Sequence, residues 1–132
     1  MGTNVERVEE LYRKFSRIDP DELGAYFTED GYVQPVMKEP YQGRAEIRRM
    51  FGLWAQHFSD VDTPLRNIAG EGNVVFTEWL DKSEFDGKAH VVPCVGVFEF
   101  DGDKIKAWRL YYDSALEGST EISGLNAHRT GI

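Results

Sequence analysis

VVFTEWLDKSEF, residues Val74–Phe85, alternates like a strand and is the run on which the fold turns. Period-two pleating gathers Thr77, Trp79, Asp81 and Ser83 on one face. Turned inward, that face sets a carboxylate beside an indole where little water reaches it. Such an acid loses the solvation of its charged form, its pKa rises toward neutrality, and it becomes suited to moving a proton. The opposite face carries Phe76 and Leu80 and is also apolar. Asp81 therefore has a second reading, as a solvated strand acid paired with Lys82.

Working outward, residues 63–69, 73–85, 89–100 and 104–113 all read as strands. The segments Glu71-Gly72-Asn73, Asp86-Gly87 and Asp101-Gly102-Asp103 between them have the chemistry of hairpin turns. Before them the period is helical. Val5, Val8, Leu11, Tyr12 and Phe15 mark a helix over residues 4–17, with Thr3 and Glu6 as its capping box. Asp19-Pro20-Asp21-Glu22 restarts a short helix, with Asp19 as N-cap, Pro20 in the first turn and Glu22 reaching back. Residues 28–31 read as a turn into an extended piece over 32–37, broken by Glu39-Pro40. A third helix is expected over 44–58, with Ile47, Met50, Phe51, Trp54 and Phe58 forming its apolar stripe. The expected architecture is α+β: three N-terminal helices packed on a curved, mostly antiparallel sheet, enclosing a cone. Residues 1–117 form the expected single domain, and residues 118–132, rich in Gly, Ser and Thr, a flexible tail or lid.

The chain has 132 residues, enough for one core, and a net charge of −8. Its 15 Lys and Arg are scattered, which disfavours nucleic acid as a partner. Cys94 is the single cysteine, so no disulfide framework or thiolate metal set is expected. His57, His90 and His128 lack metal-ligand spacing, and no metal or other cofactor is expected. The N-terminus lacks the apolar core of a signal peptide and no run approaches membrane-spanning length, so the expectation is a cytoplasmic protein without a membrane partner.

YQGRAEIRRMFG at residues 41–52, VGVF at 95–98 and WRLYYD at 108–113 give the chain its likeness to known proteins. Over roughly residues 4–113 it resembles the nuclear transport factor two-like superfamily, which includes ketosteroid isomerases, limonene epoxide hydrolases and SnoaL-type polyketide cyclases. The resemblance implies a cystatin-like cone, a small apolar ligand, and a homodimer through the convex sheet face. Arg109 and Asp113 then lie on that outer face as a subunit contact or surface charge. In the epoxide hydrolases an Arg-x-Asp on the central strand works with an Asp in a Trp-Arg-Asp-Tyr motif. Here Asp81 is kept, Trp79 replaces the Arg, Leu110 replaces the second Asp, and Val33 and Pro35 stand where a Tyr and an Asn hold the water. Against the isomerases, Tyr12 matches the hydrogen-bond donor to the enolate oxygen. The base falls near Gln34 and Pro35, the second acid at Gly96, and Phe51 replaces a tyrosine.

Both likenesses turn Thr77, Trp79, Asp81 and Ser83 into the cone, together with His90, Val92, Cys94 and Gly96, and Trp108, Leu110 and Tyr112 on the last strand. The candidate proton-transfer groups are Asp81, Tyr12, Tyr112 and His90. Each phenol also reads as core packing, and His90 also as a strand-end residue facing solvent. Candidate ligand contacts are Trp79, Trp108, Leu110 and Cys94 on the strands, with Phe51, Trp54, Met37 and Phe15 closing the cavity. Cys94 equally reads as a buried structural thiol. The expected function is cofactor-independent acid–base chemistry of SnoaL-like or epoxide hydrolase-like type on a small, apolar, oxygenated molecule. The alternatives are an isomerase or dehydratase, and a binding module without chemistry.

Overall fold

A computed structural model describes residues 2–36, 38–85 and 87–113. The order of elements is α1 (Asn4–Lys14), α2 (Pro20–Gly24), β1 (Phe27–Pro35), β2 (Tyr41–Gln42), α3 (Arg44–His57), β3 (Phe58–Asp62), β4 (Leu65–Glu71), β5 (Val74–Phe85), β6 (Lys88–Asp101) and β7 (Lys104–Tyr112). The three helices do not precede the sheet as a block, because β1 and β2 lie between α2 and α3. Residues 28–31, whose composition reads as a turn, belong to β1, which pairs in parallel with β7. The expectation over 118–132 falls outside the described residues.

Local chemistry sets the helix starts. Thr3 Oγ1 accepts from Glu6 N–H at 3.1 Å and Glu6 Oε1 from Thr3 N–H at 2.8 Å, closing the capping box. Asp19 caps α2 by accepting from the amides of Asp21 and Glu22, with Pro20 in the first turn. Glu22 does not reach back; its carboxylate takes an ion pair from Lys14 at 2.7 Å. α1 stops at Lys14, short of residue 17, where the Phe15 amide tightens onto Tyr12 O.

β5 is the spine of the sheet. β6 pairs with it antiparallel over its whole length, from Val74↔Glu99 to Phe85↔Lys88. β4 and β3 lie end to end along its other edge, against its first and second halves respectively. The full order is β2-β1-β7-β6-β5-β3, a curled mixed sheet with the single parallel pair β1–β7. Gly72, Gly87 and Gly102 take positive φ in the three hairpin turns.

The concave face is read directly from burial. Along β6, His90, Val92, Cys94, Gly96, Phe98 and Phe100 are buried, while Val91, Pro93 and Val95 between them are exposed. On β7 a bulge adds a residue between the Ile105↔Phe100 and Ala107↔Glu99 pairs. Simple alternation from Ile105 would turn Trp108 outward; the bulge resets the phase and buries it beside Phe98. α1 covers this face with Val8, Leu11, Tyr12 and Phe15, and α3 with Ile47, Met50 and Phe51, in one continuous core. Among the described residues no helix is long and apolar enough to cross a membrane.

Gly96 is where the layers come closest. A Cβ there would sit 2.8 Å from Thr77 Oγ1, 2.9 Å from Trp79 Cζ3 and 3.0 Å from Trp108 Nε1. Two indoles and a bonded hydroxyl cannot all withdraw. We expect Gly96→Ala to lower the unfolding free energy by roughly 1–3 kcal/mol, measured by urea denaturation; an unchanged midpoint would contradict this packing.

Candidate functional site

Between the concave sheet face and the helices is a cavity of about 110 Å³, open on one side. That is smaller than the apolar cavity of about 150 Å³ that admits benzene, so a molecule of single-ring size would be seated with part of it in the open mouth. Trp79, Asp81 and Ser83 reach it from β5, His90, Val92 and Cys94 from β6, and Trp108, Leu110 and Tyr112 from β7. α1 contributes Phe15 and α3 contributes Trp54. The wall is stiffened by aromatic contacts. Phe15 and Phe98 both stack on Trp108, at 5.6 and 5.0 Å between centroids, and Trp54 meets it edge-on at 6.3 Å.

Two expected members stand apart from this lining. The Tyr12 hydroxyl meets Thr77 Oγ1 at 3.0 Å, deep in the core, and Thr77 donates weakly to Gly96 O at 3.5 Å. With Thr77 donating onward, Tyr12 is the donor of the first bond. Burial holds the Tyr12 phenol well above its ordinary pKa, so it stays protonated. Phe51 is fully buried behind the wall, packed on Trp54 and Phe15. Met37 falls outside the described residues.

The lining also holds residues not proposed from sequence as ligand contacts. Ser83 and Val92 were turned into the cone by the family likenesses, without a ligand role. Phe58 and Val61 of β3 gave no signal, since Phe58 reads as the end of the third helix. β3 is instead a short strand carrying a bulge, and Asp60 within it takes a left-handed φ of 51°. Ile18 and Lys38 come from connecting segments, and Pro35 and Thr63 from the ends of extended runs, where neither carried a ligand signal.

Asp81 makes no hydrogen bond or ion pair with any described residue, and Lys82 is not its partner. Burial alone lifts its carboxyl from 3.8 to about 6. His90 is only 4% exposed, which rules out the solvent-facing reading, and neither of its ring nitrogens has a partner. Burial, helped by the charge of Lys88, lowers its pKa, so the ring is neutral near pH 7. Asp81 stands opposite Val92, and His90 opposite Ser83. The acid and the imidazole are thus diagonal neighbours, about 7–8 Å apart at the backbone, and no hydrogen bond joins them. Trp108 Nε1, on the Gly96 floor, is a further buried donor without a partner.

On the outer face, Arg109 pairs with Glu99 at 2.6 Å and donates to the Tyr32 hydroxyl at 2.8 Å. His57 ends α3, half-buried and stacked on Phe85 at 5.8 Å. His128 lies outside the described residues. Among the described residues no three His, Cys, Asp or Glu side chains gather as a metal set.

The fold has many solved counterparts. A Catenulispora acidiphila protein with a ketosteroid isomerase-like fold, in complex with trimethylamine, superposes with a TM-score of 0.80 at 19% identity, covering 89% of this chain and 93% of the other. A limonene epoxide hydrolase-like epoxide hydrolase of Mycobacterium tuberculosis gives 0.78 at 22% identity, with 94% and 92% covered. The epoxide hydrolase/cyclase-like enzyme SalBIII, which acts in pyran ring formation in the polyether salinomycin, gives 0.76 at 22%, with 85% and 92% covered. At these identities the likeness speaks to the fold alone. The profile of the SnoaL-like domain family matches residues 8–108, and the chain belongs to that family.

Proposed function

We propose that this SnoaL-like protein is a cofactor-independent enzyme in which Asp81 acts as a general base on a small, apolar, oxygenated molecule. The observation that carries the reading is the Asp81 carboxyl, without a protein partner, in a cavity walled by Trp79, Trp108, Val92 and Leu110. A base is most effective when its pKa lies near the working pH, and about 6 leaves Asp81 mostly ionised at pH 7 yet far more basic than a solvated carboxylate. The oxygen that gains charge as the proton leaves needs a donor within reach. Tyr112 and His90 both line the cavity, and His90, with neither ring nitrogen bonded, is better placed for this than Tyr12, whose hydroxyl is committed to Thr77. Epoxide opening or cyclisation fits this equipment first, and isomerisation or dehydration second. The apolar replacements Trp79, Leu110 and Pro35 at positions where epoxide hydrolases carry Arg, Asp and Asn favour one rival: a module that binds such a molecule without transforming it.

Asp81→Asn separates the two. Across a panel of small epoxides, β,γ-unsaturated ketones and β-keto esters, turnover of any accepted substrate should fall at least about 100-fold. Wild-type kcat/KM should rise with pH and level off above about 6. Turnover that survives the substitution would end the enzyme reading through Asp81.

The same titration has a cost in stability. The folded state holds the Asp81 proton more tightly than the unfolded chain, so it binds more protons between pH 4 and 6, and stability falls as pH rises through that window. Asp81→Asn should therefore match wild type near pH 4 and exceed it by about 2–3 kcal/mol at pH 7, in denaturant titrations at both pH values. No gain at pH 7 would mean the carboxyl is solvated.

We also infer a homodimer through the outer sheet face. Phe76, Val91, Val95 and Tyr111 are 51%, 56%, 44% and 47% exposed there, and Val95 lies directly opposite Tyr111. A contiguous apolar patch on one face suits a self-complementary contact. Val95→Lys should convert a dimer to a monomer in sedimentation velocity without loss of helix or strand signal; a wild-type monomer would refute it.

A further inference from the structure

Three polar side chains meet in a cavity that is otherwise largely aromatic and aliphatic, and the described protein satisfies none of them. Ser83 and His90 face each other directly across the β5–β6 hairpin, and Asp81 is the next inward residue on β5. All three line the cavity. His90 is buried with neither ring nitrogen bonded, and no described residue hydrogen-bonds to the side chain of Asp81 or Ser83. Each unbonded buried nitrogen costs about 1–3 kcal/mol, an outlay a fold retains only where something else completes the bonds.

The chemistry of that missing partner is restricted. A neutral imidazole offers one donor and one acceptor, so it asks for one of each in return. An alkylammonium ion has no acceptor and would leave the imidazole N–H bare. A carboxylate has no donor for the bare imidazole nitrogen, and beside His90 and Ser83 it would meet the charge of Asp81, although Lys38 also lines the cavity. A hydroxyl can accept from the imidazole N–H or donate to its bare nitrogen, and its remaining capacity can then serve Ser83 or Asp81. Resting on the reading of this cavity as a ligand site, we propose that Ser83 and His90, beside Asp81, form a specificity pocket for the hydroxyl end of an uncharged molecule of single-ring size. The remainder of that molecule lies against Trp79, Trp108 and Leu110.

The test uses binding in the absence of turnover, so it stands or falls separately from the catalytic role of Asp81. Cyclohexanol, cyclohexylamine and methylcyclohexane are titrated into the full chain, with affinity followed by protein NMR shifts. Wild type should bind cyclohexanol about tenfold tighter than methylcyclohexane, the worth of one or two hydrogen bonds in a dry site. His90→Leu should erase that preference while leaving methylcyclohexane affinity intact and raising the melting temperature. His90→Gln, which restores a donor and an acceptor, should recover most of it. Should His90→Leu fail to fold, Ser83→Ala decides, with a clear drop in the alcohol preference expected. The proposal is overturned by an unchanged preference in these variants, by tighter binding of protonated cyclohexylamine, or by no saturable binding of cyclohexanol to wild type.

Discussion

The register between β5 and β6 is the constraint from which the site follows. Twelve consecutive pairs, Val74↔Glu99 through Phe85↔Lys88, run without a break. A slip of one residue would turn every inward side chain of one strand outward. Asp81 and Ser83 would then leave the cavity, and Phe76 and Leu80 would crowd into it. What prevents the slip is packing on both sides: Trp79, Phe98 and Trp108 inward, and short glycine-bearing turns at each hairpin end. The hairpin therefore does two jobs with one set of contacts, anchoring the core and aiming the polar groups.

Those two jobs pull against each other. A carboxyl with a pKa near 6 and an imidazole without a bond are both costly to bury. The aromatic layer offsets that cost, with Phe15 and Phe98 stacked on Trp108 and Tyr12 edge-on to Trp79 at 5.1 Å. Residues that satisfy one another, such as Tyr12 with Thr77, sit in the core proper. Residues left unsatisfied sit at the hollow. That division separates framework from equipment better than residue type does, since a tyrosine and a threonine fall on the framework side.

Much of this was legible in the sequence wherever the signal was local. The capping box at Thr3 and Glu6, the Asp19-Pro20 start and the glycine turns are chemistry of neighbouring residues, and period-two alternation put Trp79, Asp81 and Ser83 on one face, while the family resemblance turned His90, Val92 and Cys94 to the same side. The parts that escaped depend on distant partners. Residues 28–31, of turn composition, form an irregularity within β1, and the strand is held by β7 pairing with Phe27 before them and Tyr32–Pro35 after them. Phe58 and Val61 join the wall because β3 docks on the second half of β5. The Tyr12–Thr77 bond spans 65 positions, and nothing local announces it.

The far edge of β5 is served by two short strands in succession, and the seam between them falls near Thr63 and Pro64, where Leu80 N–H reaches Pro64 O at 3.2 Å. Val61 and Thr63, on either side of that seam, belong to the rim of the hollow. A joint between two pieces absorbs inserted or deleted residues more easily than a continuous strand does. The aperture can thus be retailored by changing chain length at residues 62–64, while the acid, the imidazole and the hydroxyl remain fixed on an uninterrupted ladder.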